Sequence, residues 1–183
     1  MSWKNDQVSK EETEQIIELA KGALNVSGDF VELGCYKGDT SLLLAEVLKN
    51  SNKKLWIYDS FEGLPEKSKE DESVLGVNFK GGELFVTKRE VKERFLRAGL
   101  PVPVIKKGWF SELTNEDLPD EIAFAFLDGD FYESIKDSLK LVAPKMVKDG
   151  IIIVHDYTNP ALPGVKRAVD EFQATNQIKM ILM

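Results

Sequence analysis

Between Phe30 and Thr40 the chain reads F-V-E-L-G-C-Y-K-G-D-T, and no other stretch limits its fold as strongly. An apolar run climbs to Glu32, breaks at Gly34 and Gly38, and gives way to the helical pattern Leu42-Leu43-Leu44-Ala45. A strand, a tight glycine loop and a helix N-terminus in that order hold nucleotide-like ligands against backbone N–H groups.

The flanking sequence repeats the alternation of strand and helix. Ile16, Ile17, Ala20, Ala23 and Leu24 lie on one stripe of a first helix over 9–24, with Ser9 and Glu12 spaced as a capping box. The second helix runs to about Asn50, and a second strand, Lys54–Tyr58, ends on Asp59. Residues 61–85 carry no sustained period and read as a lid or binding excursion. Thr87 and Glu90 form another capping box, for a helix reaching Gly99. A third strand spans Val102–Lys106 between prolines. Ile122–Leu127 is a continuous apolar run, the mark of a central strand covered on both faces. A helix over 132–147, a buried strand Ile151–Val154, a helix opened by Pro163 and Gly164, and a sixth strand within 178–182 complete the pattern. The expected fold is α/β, a three-layer, doubly wound, mostly parallel sheet of Rossmann-like type, in one domain over 1–183 with an N-terminal helical segment over 1–27.

With 183 residues the chain is long enough for one core and short for two. Its net charge of −7 argues against nucleic acid, which is bound through clustered Lys and Arg. No apolar run approaches the ~20 residues that cross a bilayer. The lone Cys35 and the absence of a leader-like opening point to a reduced, cytoplasmic setting.

Ligands of open parallel sheets bind beyond the carboxyl ends of the strands. Those ends carry Glu32 with Gly34, Asp59, Gly108-Trp109, Asp128 with Asp130, and His155-Asp156. The loop is Glu-x-Gly-x-x-x-Gly and lacks the third glycine that a dinucleotide pyrophosphate requires. A carboxylate at Glu32 suits a donor bearing an amine and a sulfonium, such as S-adenosylmethionine. Asp59 is placed to accept from both ribose hydroxyls. Cys35, Gly38 and Ser60 join this donor set. Trp109 and Phe110 follow strand three, where an adenine ring would lie, and packing explains that pair equally well. Asp128, His155 and Asp156 offer hard oxygens and one imidazole for a divalent metal such as Mg²⁺, with Asp130 as the cap of the next helix.

These segments, together with Y-D-S-F-E-G-L-P (58–65), K-G-W-F (107–110), L-D-G-D-F-Y-E-S (127–134) and P-G-V-K-R-A-V-D-E-F (163–172), resemble the macrocin O-methyltransferase (TylF/MycF) family of class I S-adenosylmethionine-dependent enzymes. The resemblance implies Mg²⁺-dependent O-methylation of a sugar hydroxyl of a macrolide or similar natural product. It carries Glu32, Gly34, Gly38 and Asp59 onto the donor site, and Asp128 and Asp156 onto catalytic, metal-binding positions. It also implies a longer N-terminal extension and a final antiparallel strand past Met183, so the C-terminal part of the sheet is expected to be incomplete. The chain departs from the family twice. His155 stands where a first aspartate is usual, which favours a softer ion such as Mn²⁺. Residues 61–85 hold no histidine to serve as base, so either a carboxylate such as Glu70, Asp71, Glu72 or Glu83 serves, or metal activation suffices, or the acceptor and mechanism differ. The expected partner is a small sugar-containing or phenolic acceptor, and a homodimer stays open. A catechol-type O-methyltransferase and a donor-binding or assembly protein with little activity remain the alternatives.

Overall fold

The structure of the protein, a computed structural model, describes residues 7–75 and 79–183. The first six residues of the N-terminal segment, and residues 76–78 of the excursion with Gly76, lie outside them. Helix α1 (Lys10–Gly22) begins at a complete capping box: the Glu12 amide donates to Ser9 Oγ and the Ser9 amide to Glu12. Strand β1 (Asp29–Leu33) leads through the glycine loop into α2 (Asp39–Leu48), and β2 (Leu55–Asp59) follows. Beyond the excursion come α3 (Lys88–Ala98), capped by Thr87 and Glu90, then β3 (Val104–Lys107) and β4 (Ile122–Leu127). Helix α4 (Tyr132–Val142), β5 (Met146–Val154), α5 (Pro163–Gln173) and β6 (Met180–Leu182) complete the order.

The six strands form one sheet in the order β3-β2-β1-β4-β5-β6, and every pairing is parallel. All six residues of β4 are buried, as a strand with both faces covered requires. Phe30, Ile57, Phe124 and Phe126 face the side packed by α1, α2 and α3, through Ile16, Leu42, Leu44 and Phe95. Val31, Leu33, Ala125 and Leu127 face the side packed by α4 and α5, through Ile135, Leu139, Val165 and Val169. The Phe30 and Phe124 rings stack with centroids 4.9 Å apart. Burying each such ring contributes about 1.5–3 kcal/mol to the packing that holds β1 against β4.

Several boundaries differ from the sequence reading. The helix expected over 132–147 stops at Val142: Pro144 cannot continue it, a 3₁₀ turn (Ala143–Lys145) follows, and Met146 already pairs with Ile122 in β5. Strand β5 is therefore longer than Ile151–Val154. Strand β3 starts at Val104 because Pro101 and Pro103 have no N–H to give the ladder. The last strand is shorter than 178–182 and runs parallel to β5. Among the described residues no helix is long and apolar enough to cross a membrane.

The excursion between β2 and α3 is tied together where it leaves and rejoins the body. The Leu64 amide donates to the Glu83 carbonyl at 2.8 Å, and the Gly82 amide to the Leu64 carbonyl at 2.8 Å. Inside this neck a 3₁₀ turn, Lys69–Asp71, leans on α5.

Candidate active site

The crossovers leave β1 in opposite directions, toward β2 and toward β4, so a crevice opens at the carboxyl ends of the central strands. It holds a cavity enclosing about 1150 Å³ of empty space, part of it open to solvent. Glu32, Gly34, Cys35, Asp59, Ser60, Gly108, Trp109, Asp128, His155 and Asp156 all line it, drawn from five strand ends. Gly38 does not. It sits at the N-cap of α2 in a left-handed conformation, and its Cα side faces Val91 and Ser41.

Asp59 organises the glycine-loop half of the cavity. Its Oδ2 accepts from the Cys35 amide at 2.9 Å and the Tyr36 amide at 3.3 Å, and its Oδ1 from the Phe61 amide at 2.7 Å. One carboxylate thus joins the glycine loop to the end of β2. Ser60 lines the cavity, but its hydroxyl donates to the Gly63 carbonyl at 2.9 Å and closes the next turn. Gly34 lies against the end of β4 with φ +89°, and a Cβ there would run into the Asp128 carbonyl oxygen. The Cys35 thiol is free and buried, and burial together with Asp59 and Glu32 pushes its pKa up, which keeps it protonated and inert.

Glu32 is 1% exposed and accepts a hydrogen bond from Ser41 Oγ. Burial pushes its carboxyl up to about 8; the Ser41 bond opposes this, while Asp128, Asp59 and Asp39 add to it. In the unfolded chain the same group ionises near its ordinary 4.5. Below that both states are protonated, and between the two values only the unfolded chain gives up the proton. Stability therefore falls as pH rises from 4.5 to about 8. Glu32→Gln keeps an acceptor for Ser41 and removes the titration. Chemical unfolding at pH 5.5 and 8.5 is expected to show a smaller pH loss in the variant than in the wild type, and equal losses would refute the assignment.

The other half is acidic. His155 Nδ1 lies 3.1 Å from Asp128 Oδ1 and 2.9 Å from Asp156 Oδ2, with its ring 5.9 Å from that of Phe126. Burial disfavours the imidazolium, but the Asp128 and Asp156 carboxylates outweigh it and lift the pKa to about 11. Asp156 is held low: burial opposes its charge, and His155 and Asn159 more than compensate. Asn159 donates to Asp156 Oδ1 at 2.8 Å. Asp130 and Asp156 both adopt left-handed backbone, φ 59° and 61°, a conformation that aspartate tolerates better than most residues.

Two sequence expectations exchange places here. Asp130 does not cap α4. That helix has Phe131 at its N-cap with no side-chain bond, and Asp130 lines the cavity, its pKa raised by burial and by Asp128 and Asp156. Asp71, a candidate base, is the group that bonds the start of α4, through the Tyr132 amide at 2.7 Å. Glu70 pairs with Arg167 at 3.6 Å, and none of Glu70, Asp71, Glu72 and Glu83 lines the cavity. Sequence reasoning missed the apolar wall of Leu64, Phe79, Leu84 and Leu162. Leu64 stood inside the 58–65 motif and Leu162 just before the Pro163-Gly164 helix start, while Phe79 and Leu84 carried no signal beyond their place in the 61–85 excursion.

The arrangement can hold a nucleoside-like donor over the loop and bring its reactive end beside a cluster of acids. Two proteins from Streptomyces share this sequence plan. One is 8-demethyl-8-(2,3-dimethoxy-alpha-L-rhamnosyl)-tetracenomycin-C 4'-O-methyltransferase of Streptomyces olivaceus, 31% identical over 156 residues, 81% of this chain and 59% of that protein. The other is demethyldecarbamoylnovobiocin O-methyltransferase of Streptomyces niveus, 31% identical over 158 residues, 82% of this chain and 60% of that one. The chain spans about three fifths of the length of these relatives. The solved structure of the O-methyltransferase NovP superposes with a TM-score of 0.80 at 29% identity, covering 90% of this chain and 71% of that one. Residues 10–183 match the macrocin O-methyltransferase (TylF) profile, which takes in every strand and every cavity acid described above; the chain belongs to that family.

Proposed function

We propose that this chain works as an S-adenosylmethionine-dependent O-methyltransferase on a hydroxyl of a sugar-bearing or phenolic small molecule. One observation carries the reading: the Asp59-anchored loop and the Asp128–His155–Asp156 cluster line a single cavity. Asp59 and Glu32, with Gly34, Cys35, Gly108 and Trp109 around them, receive the donor. Asp128 and Asp156 receive the acceptor. A hydroxyl hydrogen-bonded to one of these carboxylates attacks the methyl carbon in line with the sulfonium. The oxygen–carbon bond forms as the carbon–sulfur bond breaks, the proton passes to the carboxylate, and S-adenosylhomocysteine leaves. Most of the acceleration comes from positioning. The apolar wall supports an acceptor with a hydrophobic body beside its hydroxyls. Transfer of radiolabelled methyl to a panel of rhamnosides, glycosylated macrolides and catechols tests this. A blank panel, with donor product still bound, would favour a donor-binding role.

The acid cluster fits a divalent ion. Ligand atoms of Asp128, His155 and Asp156 lie within 4.8 Å of one another. Such an ion, when bound, would polarise an acceptor oxygen. With His155 in the set, and its proton released to solvent as the ion binds, Mn²⁺ is expected to bind at least about tenfold tighter than Mg²⁺ by calorimetric titration, and His155→Asp to narrow that ratio. Equal affinities in the wild type would contradict the assignment. The buried free Cys35 suits a reducing cytoplasm.

A further inference from the structure

The excursion sends one carboxylate into the body of the protein. Asp71 is 2% exposed. Its Oδ1 accepts from the Tyr132 amide at 2.7 Å; its Oδ2 accepts from the Ser68 amide at 3.0 Å and from Ser68 Oγ at 2.6 Å. From the far side Gly164, in the first turn of α5, presses against the same carboxylate, and a Cβ at that position would overlap Asp71 Oδ1. Around this point Glu70 pairs with Arg167, and Ser73 Oγ donates to the Pro160 carbonyl at 3.0 Å.

Three parts of the cavity meet at this carboxylate. Tyr132 opens α4 directly after Asp128-Gly129-Asp130, Gly164 follows Leu162, and Asp71 belongs to the segment that supplies Phe79 and Leu84. Helix α4 has no cap of its own, so its first turn takes its direction from Asp71. Gly164 makes the contact specific, because any side chain there excludes the carboxylate.

We propose that Asp71 is a positioning residue: by holding the start of α4 against α5 it sets the Asp128–Asp130 turn, and with it the acid cluster, relative to the cavity wall. It touches neither donor nor acceptor and acts through the Tyr132 amide. The consequence for catalysis rests on the methyl-transfer reading, but the structural coupling does not.

The protein contains one histidine, so the His155 ring gives a single imidazole resonance that reports the cluster at fixed pH. Asp71→Ala and Gly164→Ala, which damage the contact from opposite sides, are expected to shift that resonance alike and to speed amide exchange at Tyr132. S-adenosylhomocysteine affinity is expected to change less than about twofold, since the donor half is built on Asp59. Asp71→Asn, which can still accept from Tyr132, should restore most of the wild-type signal. The Asp71→Ala/Gly164→Ala double variant should be no worse than Asp71→Ala, because the added methyl then enters vacated space. Ser68→Ala, a milder change, covers the case in which the harsher variants fail to fold, and predicts a smaller shift in the same direction. An unmoved His155 resonance in the folded variants, or additive effects in the double, would overturn the proposal. With an active acceptor in hand, kcat should fall roughly ten- to a hundredfold, in keeping with the cost of a small misplacement. A purely structural role would lower the melting temperature and leave kcat per folded molecule unchanged.

Discussion

Asp59→Ala is expected to lower the affinity for S-adenosylhomocysteine by about a hundredfold or more in calorimetric titration. Two losses combine in that number. The first is direct: charge-assisted bonds to a ribose diol are worth about 1.5–3 kcal/mol each, roughly ten- to a hundredfold in binding. The second concerns the loop. Three backbone amides, of Cys35, Tyr36 and Phe61, now converge on this carboxylate, and alanine would leave all three without their acceptor. Asp59→Asn separates the contributions, since an amide oxygen can serve some of these donors but carries no charge. It should bind better than the alanine variant and worse than wild type. Unchanged binding in Asp59→Ala would remove the donor-site assignment altogether.

Gly34→Ala should be the most damaging single methyl that can be added to the protein's central crevice. The residue has φ +89°, where side chains are strained, and its missing Cβ is the space into which the Asp128 carbonyl oxygen fits. Asp128 cannot retreat, because its amide donates to the Leu33 carbonyl at 2.9 Å and β4 is buried along its whole length. Strain of about 1–3 kcal/mol from the backbone adds to a comparable overpacking term, together a large share of the roughly 5–15 kcal/mol that stabilises an ordinary domain. Chemical unfolding should show a midpoint far below wild type. A midpoint within error of wild type would mean that the β1–β4 contact yields more easily than its geometry indicates. At Gly38, where the nearest atoms are the ends of the Val91 and Ser41 side chains, the same substitution carries the dihedral penalty without the collision.

How far the sequence reaches depends on the range of the interaction that decides each feature. Strand β4 was legible because a strand between two helical layers is apolar throughout, β1 because its short apolar run breaks on a glycine loop, and both capping boxes because their partners lie three residues apart. The strand-end acids were legible for the same reason: each follows its own strand, and the parallel order brings them to one crevice. The roles of Asp71 and Asp130 were not, because capping of α4 is settled by a residue 61 positions away from Tyr132. Nor was the apolar wall, whose members come from both ends of the excursion and from the turn before α5. The end of α4 was misjudged because Leu139, Val142 and Met146 keep a helical spacing that Pro144 interrupts.

The neck at Leu64, Gly82 and Glu83 has a consequence for how such a protein can diverge. Because the two ends of residues 65–81 are joined by backbone hydrogen bonds, lengthening or replacing that segment need not move β2 or α3. Closing a longer loop costs only about 0.6 kcal/mol per doubling, so whole segments can be exchanged between relatives on thermodynamic terms that the rest of the fold tolerates. The glycine loop and Asp59 hang on the strand ends outside the neck, while Phe79 lies within it and Leu84 just past it. If the methyl-transfer reading proposed above holds, recognition of the acceptor can be rewritten as a cassette while the strand-end residues stay unchanged, provided the incoming segment keeps a carboxylate to dock beneath Gly164.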